Sequence, residues 1–427
     1  MHAAMESSPP AYLNNTSDYR DVFEQFVTEG SFLWLLRSVA IKQPHYNLAD
    51  IAALEQRITT HLHGILIAVD IGWELCERAL QFNDPGEQFT ASVIALRSHQ
   101  QCPIQTVIAA GLQHSRATPG LISALGWVES DISQPLIKQL LASDDPDQNY
   151  LGVAACSIRR EDPGGPLSAL LKRNDYLAHT RLHARLLRSI GELQREDLLP
   201  AVHAAQGSAD PEIAFWANRS SILLGQPAAV NHLQPLVLQP GPLQTRAIQI
   251  AFRVLPIDQA HAWLAAMNQN TANMRAAITA AGVLGDPQAV NGLIENMAHP
   301  PLARLAAESF TNITGIDLIK HQLHREPHQP PAPKPNDATG DNTDEDVGLD
   351  DDENLPWPDV EKISALWHNQ GAHFKFGQRY FLGKAITPER LQRTVAEGNM
   401  RQRHAAALEL ALLTASPLLN TYAKAIP

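Results

Sequence analysis

The residues in this sequence that are best suited to chemistry are arginines near the start of successive predicted helices. They are Arg181, Arg246, Arg275 and Arg304, with Arg219 one turn further along its helix. A guanidinium group is a planar fork of N–H donors that binds a carboxylate through two parallel hydrogen bonds. The arginines can tie neighbouring helices together through aspartates such as Asp144, Asp175 and Asp210, or they can face an acidic partner. Both interpretations stay open at the level of sequence.

Polar and aromatic residues also stand side by side at three other places, and such combinations often line contacts between proteins. They are His45 with Tyr46, Trp73 with Glu74, and Arg379 with Tyr380. For Tyr46 and Trp73, packing in the core is the favoured alternative. Arg379 and Tyr380 belong to HFKFGQRYFLG at 373–383, which we expect to form a short hairpin or a docking loop. This basic, aromatic stretch can hold an acidic partner or fold onto the acidic part of its own chain.

Signatures of catalysis are missing from the sequence. It contains no G-x-S-x-G, H-E-x-x-H, Walker or G-x-G-x-x-G pattern. His61 and His63 are two residues apart and so point to different faces of a helix, while His321 and His324 stand beside a predicted helix end. We therefore expect a protein that is not an enzyme and that has no metal or cofactor site.

The element that must position the arginines is a repeated helix–turn–helix. The stretch ILLGQPAAVNHL at 222–233 returns 60 residues later as GVLGDPQAVNGL at 282–293. Glycine accepts the left-handed conformation that ends a helix, and proline loses no hydrogen bond in the first turn of the next one. Asp286 is placed to cap the second helix with its carboxylate.

The same turn recurs along the chain at intervals of 29 to 34 residues. Its anchors are Gly126, Arg159, Gly191, Gly225, Pro256, Gly285 and Gly315. One interval holds a helical hairpin that is too short to bury its own apolar face, so successive hairpins must stack. We predict an all-α fold, in which an α-solenoid of helical hairpins at 118–325 follows an N-terminal helical region at 1–117.

The pattern of helices breaks down at 326–356. PHQPPAPKP favours extended polyproline conformation, and DATGDNTDEDVGLDDDE has too few apolar residues to form a core, so the stretch is interpreted as a flexible, solvated linker. Helical patterns return at 357–427, where Asp359 can cap a helix and two further helices are expected at 388–397 and 401–415. We expect this C-terminal segment to pack back on the solenoid.

Composition restricts the compartment and the partners. The formal net charge is −12, and residues 1–336 carry 24 Lys and Arg against 31 Asp and Glu, so a nucleic-acid partner is not expected. Three cysteines without C-x-x-C spacing fit a reducing compartment. The longest apolar stretch, 64–73, is interrupted by Asp70 and is shorter than the ~20 residues of a membrane helix. A cytoplasmic protein without a membrane span is predicted.

Several stretches between residues 44 and 415 are similar to a bacterial family of HEAT-repeat proteins that has no assigned activity. They are PHYNLADI, GWELCERAL, SALGW, RREDPGG, GVLGDP, ESFTNITGIDL, EDVGLDDDENLPWPD, FGQRYFLG and RQRHAAALELALL. Genes of that family tend to lie near those of type VI secretion. The resemblance implies an accessory or chaperone-like role, with a secretion spike, adaptor or effector as partner, and it carries over no catalytic residue.

These observations predict a non-enzymatic scaffold for protein–protein interaction. An immunity or inhibitor protein that wraps a toxin is an alternative with the same architecture. A further alternative is a DNA-binding enzyme that resembles the HEAT-repeat alkylpurine glycosylases. Such an enzyme needs a basic groove, and the acidic balance of the repeats argues against it.

Overall fold

The computed structural model describes residues 19–173, 175, 178–326 and 350–425. Helices dominate this part of the chain, and its strands are two antiparallel pairs of two residues each. The predicted all-α class is confirmed. No helix in these ranges combines the length and the apolar character needed to cross a bilayer. The three cysteines, Cys76, Cys102 and Cys156, are all free thiols.

Contacts divide the chain into two compact units. The first comprises Met1–Lys42, Tyr46–Ser189 and Asn420–Pro427, and the second comprises Gln43–His45 and Ile190–Leu419. The division therefore falls within the stretch that the sequence assigns to repeats, and not at residue 117.

The first unit is built from ten helices that the structure describes, the last of which runs three residues past its boundary. They are α1 Arg20–Ala40, α2 Leu48–Leu66, α3 Val69–Ala79, α4 Pro85–Ser98, α5 Gln101–Gln113, α6 Thr118–Trp127, α7 Ser130–Leu141, α8 Pro146–Arg159, α9 Gly165–Leu170 and α10 Thr180–Glu192. Apolar residues recur at helical spacing from Ala52 to Val69 and on past Gly72 to Leu80, a pattern that predicts one helix, but the helix is broken after Leu66. Gly72 lets α3 fold back closely against Ile65, since a side chain there would overlap the Ile65 carbonyl.

Local sequence sets the start of α2, and aromatic packing joins α1, α4 and α6. The Asn47 side chain accepts the N–H groups of Ala49 and Asp50, and Asp50 accepts the N–H of Asn47, which is a complete capping box for α2. Phe89, fully buried on α4, stacks on Trp34 and meets Trp127 edge-on, with ring centroids 5.2 Å apart in both pairs.

The second unit continues with eleven further helices and four short strands among the described residues. They are α11 Leu199–Ala205, α12 Pro211–Leu223, α13 Gln234–Leu238, α14 Gln244–Val254, α15 Ile257–Met267, α16 Met274–Leu284, α17 Val290–Asn296, α18 Pro300–Thr314, β1 His324–Arg325, β2 Trp357–Pro358, α19 Val360–Gln370, β3 Tyr380–Phe381, β4 Lys384–Ala385, α20 Pro388–Glu397 and α21 Met400–Thr414. Short 3-10 helices cover Leu80–Phe82, Glu196–Leu198, Pro227–Leu233, Thr271–Asn273, Pro287–Ala289 and Gly371–His373.

Alternate helices of this unit pack side by side in chain order. Helix α12 contacts α14, α14 contacts α16, and α16 contacts α18, while α15 packs on α16 and α17 packs on α18. The core includes the fully buried Phe215, Phe252 and Phe310, which lie on α12, α14 and α18. Gly225, Gly285 and Gly315 have positive φ and end α12, α16 and α18, as their sequence predicts.

Two of the predicted turn glycines have a different role. Gly126 lies inside α6 and Gly191 inside α10, not in turns. A side chain at Gly191 would overlap Ser220 of α12, and one at Gly126 would overlap Ile158 of α8. Because glycine has no side chain, the neighbouring helices can approach closely at these two positions. Gly126 and Gly191 therefore recur at the repeat interval as helix-contact residues and not as turn residues.

The last part of the second unit folds onto the repeated helices. Strand β1 pairs with β2, and β3 pairs with β4 through Tyr380 opposite Ala385 and Phe381 opposite Lys384. The expected hairpin is therefore present, with its turn at residues 382–383. Helices α20 and α21 pack together, and α21 also contacts α12 and α14.

Candidate functional site

Four of the predicted arginines follow the packed helices of the second unit. Arg219 lies on α12, Arg246 on α14, Arg275 on α16 and Arg304 on α18. We call these four residues the arginine row. Each helix contacts the next, so arginines that recur in sequence lie on neighbouring helices.

The first two members of the row share one aromatic ring. The guanidinium carbon of Arg219 is 5.3 Å from the centre of the Trp216 ring, and that of Arg246 is 5.8 Å away. Trp216 is 7% exposed, and Arg246 is exposed to solvent. A cation over a tryptophan face is attracted to the ring electrons, so the ring fixes the position of both arginines.

The other two members hold acidic side chains of the same chain. Arg275 Nη2 lies 2.8 Å from Asp352 Oδ2, and Arg304 Nη2 lies 2.5 Å from Asp350 Oδ2. The Arg304 guanidinium also lies over the ring of Trp357, 4.9 Å from its centre. We call Asp350–Asp352 the acidic segment. It belongs to the stretch expected to be a solvated linker, but Asp352 is only 4% exposed because Arg275 compensates its charge.

Arg401 also binds the acidic segment, and it is not among the residues predicted from the sequence. Arg401 on α21 donates from Nη2 to the carbonyl oxygen of Asp351 at 2.6 Å, and from Nη1 to both carboxylate oxygens of Glu308 at 2.8 and 3.0 Å. The acidic segment is thus recognised at two carboxylates and at the carbonyl between them. The cluster RQRH at 401–404 was the available signal, but nothing local connects it to residue 351.

The charges around the acidic segment are partly compensated. The pKa of Asp350 is held below its ordinary value, first by the N–H of Asp352, which its carboxylate accepts at 2.9 Å, and then by Arg304. Burial raises the pKa of Glu308, and the neighbouring Arg401 opposes that effect. This arrangement places Arg275, Arg304 and Arg401 on one acidic segment of the same unit.

Arg379 and Tyr380 lie in a second cluster, in which residues 377–385 form a docked hairpin. Arg379 makes two hydrogen bonds of 2.9 Å to the carboxylate of Glu409, and it also donates to the carbonyl oxygens of Leu284 at 3.0 Å and Arg253 at 2.8 Å. The N–H of Tyr380 donates to the Gly285 carbonyl at 2.8 Å. This pair therefore binds the repeated helices of its own unit, and not the acidic segment.

Asp286, predicted as a helix cap, also anchors the docked hairpin. Its fully buried carboxylate accepts the N–H of Gln288 at 3.0 Å and the N–H of Gly377 at 3.1 and 3.2 Å. His261 Nε2 lies 2.9 Å from its Oδ2. The Leu-Gly-Asp-Pro turn thus ends a helix and also binds the docked hairpin, which lies about 90 residues further along the chain.

The remaining candidates make separate contacts. In the first unit, Arg181 stacks over the Tyr150 ring at 4.0 Å, and Glu74 pairs with Arg20 at 2.5 Å. Trp73 and Tyr46 are half-buried, and His45 is exposed.

The predicted aspartate ties are present, but with other partners. Arg173 bridges Asp144 at 3.2 Å and Asp175 at 2.9 Å, whereas Asp210 caps α12 through the N–H groups of Glu212 and Ile213. The recurring arginines tie helices through aromatic rings instead, as in Arg181 over Tyr150 and Arg246 over Trp216. Aspartates at these positions are used as helix caps or by a neighbouring arginine, so they are not available to the row.

Among the described residues, no group of three or more His, Cys, Asp or Glu side chains is arranged to hold a metal ion. No family model, curated protein or solved structure matches this chain. The resemblance to the HEAT-repeat family therefore stays a prediction.

Proposed function

We propose that the protein is a non-enzymatic scaffold, an α-solenoid of HEAT-like hairpins, whose arginine row binds an acidic segment of another protein. The observation that carries the proposal is the seating of Asp350 and Asp352 on Arg304 and Arg275. Those contacts indicate the chemistry that suits the row: carboxylates two residues apart, with a carbonyl between them that can accept a hydrogen bond.

Preorganisation supports this role for the row. Arg219 and Arg246 lie against Trp216, and Arg304 lies over Trp357, so their side chains lose little further freedom when a carboxylate arrives. Arg275 and Asp350 are about half exposed, so solvent screens their ion pairs, and each pair contributes about 0.2–1 kcal/mol. Several such contacts along the row are therefore needed for a reversible complex.

The overall charge favours an acidic peptide over a nucleic acid. A phosphate backbone requires a broad positive surface, and this chain has 45 acidic against 33 basic residues. Four spaced arginines in such surroundings suit a few discrete carboxylates better than a continuous polyanion. The secretion components implied by the family resemblance, namely a spike, adaptor or effector protein, are the partners we propose.

The acidic segment occupies part of the proposed site, so it should compete with a partner. A covalently attached ligand has an effective concentration on the order of 1 mM. A partner segment must therefore bind more tightly than the acidic segment, or extend along the row to Arg246. Weakening the attached ligand should expose the site for measurement.

The test is the binding of a fluorescent peptide of residues 350–358 to full-length chains. A D350N/D352N chain should bind the peptide at least about ten-fold more tightly than the wild-type chain, because its own segment no longer fills the row. Adding R275Q and R304Q to that chain should abolish the gain, and raising the salt concentration should weaken binding.

The control is Arg116→Gln in the first unit, where an exposed arginine pairs with Asp84. This change should leave peptide binding unaltered. Equal binding by chains with and without Arg275 and Arg304, or tighter binding of duplex DNA than of the acidic peptide, would remove the basis of the proposal.

A further inference from the structure

The first unit contains a buried ion pair that does not belong to the arginine row. Arg37 on α1 and Glu55 on α2 are 5% and 0% exposed, and Arg37 Nε donates to Glu55 Oε1 at 2.9 Å. Burying two charges costs free energy that their mutual attraction offsets only when the other donors and acceptors are also satisfied. The contacts of those other groups therefore matter.

The groups of this pair that face outward bind the backbone of residues 420–425, which we call the seated segment. Arg37 Nη2 donates to the carbonyl oxygens of Tyr422 at 3.1 Å and Ala423 at 2.9 Å. The N–H of Ala425 donates to Glu55 Oε2 at 2.6 Å. One buried pair thus supplies both a donor for carbonyls and an acceptor for an N–H, and it binds a backbone that turns at residues 421–422.

One side chain of the seated segment adds a charge preference. Lys424 Nζ lies over the ring of Trp127, 5.1 Å from its centre, and Trp127 is 6% exposed. The indole N–H of Trp127 is buried without a hydrogen-bond partner, so the ring is held by packing and contributes its face. A basic residue between the recognised carbonyls and the recognised N–H fits this face.

The seated segment itself is weakly built. It forms no helix or strand, and Tyr422 and Ala423 are exposed. Three of its anchors are the backbone carbonyls of Tyr422 and Ala423 and the N–H of Ala425, which most sequences possess, and a fourth is the Asn420 side chain, which donates to the Ile158 carbonyl. If this segment left, Arg37 and Glu55 would lose those hydrogen bonds. Another peptide that offers the same backbone groups could restore them.

We propose that Arg37, Glu55 and Trp127 form a peptide-binding site, and that the seated segment is an exchangeable ligand attached to the chain. The ligand class is a segment of a partner protein that makes the same turn and carries a lysine or arginine after it. This site differs from the arginine row in the charge it selects, since it prefers a basic residue where the row prefers acidic ones. It does not depend on the function proposed for the row.

The experiment uses full-length chains and a fluorescent peptide of residues 418–425. The K424E/A425P chain has a seated segment that lacks both the cation over Trp127 and the N–H bound by Glu55, while Arg37 and Glu55 are untouched. The peptide should bind this chain at least about ten-fold more tightly than the wild-type chain, whose own segment competes. A peptide carrying the same two changes should lose at least about ten-fold in affinity for the K424E/A425P chain.

The control chain carries Lys320→Glu, an equal charge reversal at a lysine whose side chain is 80% exposed. It should bind the peptide as the wild-type chain does. Equal affinity of the wild-type and K424E/A425P chains, or binding by neither at about 1 mM peptide, would overturn the proposal. Concentration-dependent dimers of the wild-type chain that the free peptide dissociates would overturn the assignment to a partner protein, because a second copy would then be the ligand.

Discussion

Replacing Gly285 by alanine should detach the docked hairpin, whereas replacing Gly225 should not. Both glycines end a helix in the same repeated motif, with φ of +78° and +80°. A methyl group at Gly225 would meet no atom within 4 Å, but one at Gly285 would overlap the carbonyl oxygen of Tyr380. The two changes therefore share the backbone strain and differ in the steric conflict.

The shared strain is that of an alanine in the left-handed conformation, about 1–2 kcal/mol. At Gly285 the hairpin must also move, and it would lose the hydrogen bonds from Tyr380 N–H to Gly285, from Gly377 N–H to Asp286 and from Arg379 to Leu284. At about 1 kcal/mol for each neutral bond and more for the two that involve a charged group, the additional loss is about 3–5 kcal/mol.

Amide hydrogen exchange measures this difference directly. In the wild-type chain the amides of Tyr380, Leu382 and Gly383 donate to the carbonyls of Gly285, Asn312 and Ile313. An additional loss of 3 kcal/mol or more should speed their exchange by about 100-fold or more in G285A, while G225A leaves it nearly unchanged. G315A, whose methyl group would overlap the Leu382 carbonyl, should act like G285A.

The reasoning would be refuted if G285A and G225A raised exchange at residues 380–383 equally, because the overlap with Tyr380 would then have no energetic consequence. It would also fail if G285A destabilised α16 while residues 380–383 stayed protected. In that case the hairpin would stay bound to a shifted helix end, and Gly285 would be needed only for the conformation of the turn.

Two further predictions concern charges in the second unit. Glu409→Ala should destabilise the packing of α14 and α21 by about 3–5 kcal/mol, because it leaves both Arg379 and the 8% exposed Arg253, whose Nε lies 3.2 Å from the carboxylate, without their counter-charge. Glu409→Gln should cost less, and amide exchange in α14 and α21 checks the order; equal losses would mean that charge is unimportant there. Acidification should weaken the hold of Arg304 on Asp350, whose pKa lies below the ordinary value of 3.8. Because the folded pKa is lowered, this contribution is complete above pH 3.8 and disappears as the pH falls through the folded pKa. The ¹³C shift of the Asp350 carboxyl group should report that lower midpoint, and Arg304→Gln should return it part of the way to 3.8; an unchanged midpoint in the variant would exclude a role for Arg304.

Features that depend on a few consecutive residues were predictable. The helix ends at Gly225, Gly285 and Gly315 and the caps at Asp286 and Asp359 follow from sequence, because each involves hydrogen bonds within about four residues of the chain. The last two helices, predicted at 388–397 and 401–415, are Pro388–Glu397 and Met400–Thr414. The all-α class follows from the same local rules summed over the chain.

The break between α2 and α3 shows where local rules stop. Apolar residues continue at helical spacing through 67–68, so periodicity alone predicts one helix. The break occurs because Gly72 can approach Ile65, and that contact exists only once the chain has turned back.

Residues close together in the chain account for the helical class, for the helix ends and caps named above, and for the recurrence of arginines at Arg219, Arg246, Arg275 and Arg304. Folding brings each charge to its partner: Trp216 for two of these arginines, the acidic segment for the other two, and Glu409 for Arg379. The physical reason is range. Helix ends are set by bonds between near neighbours in sequence, whereas guanidinium groups are chemically equivalent, and only their distances in the folded chain select one carboxylate or ring from many.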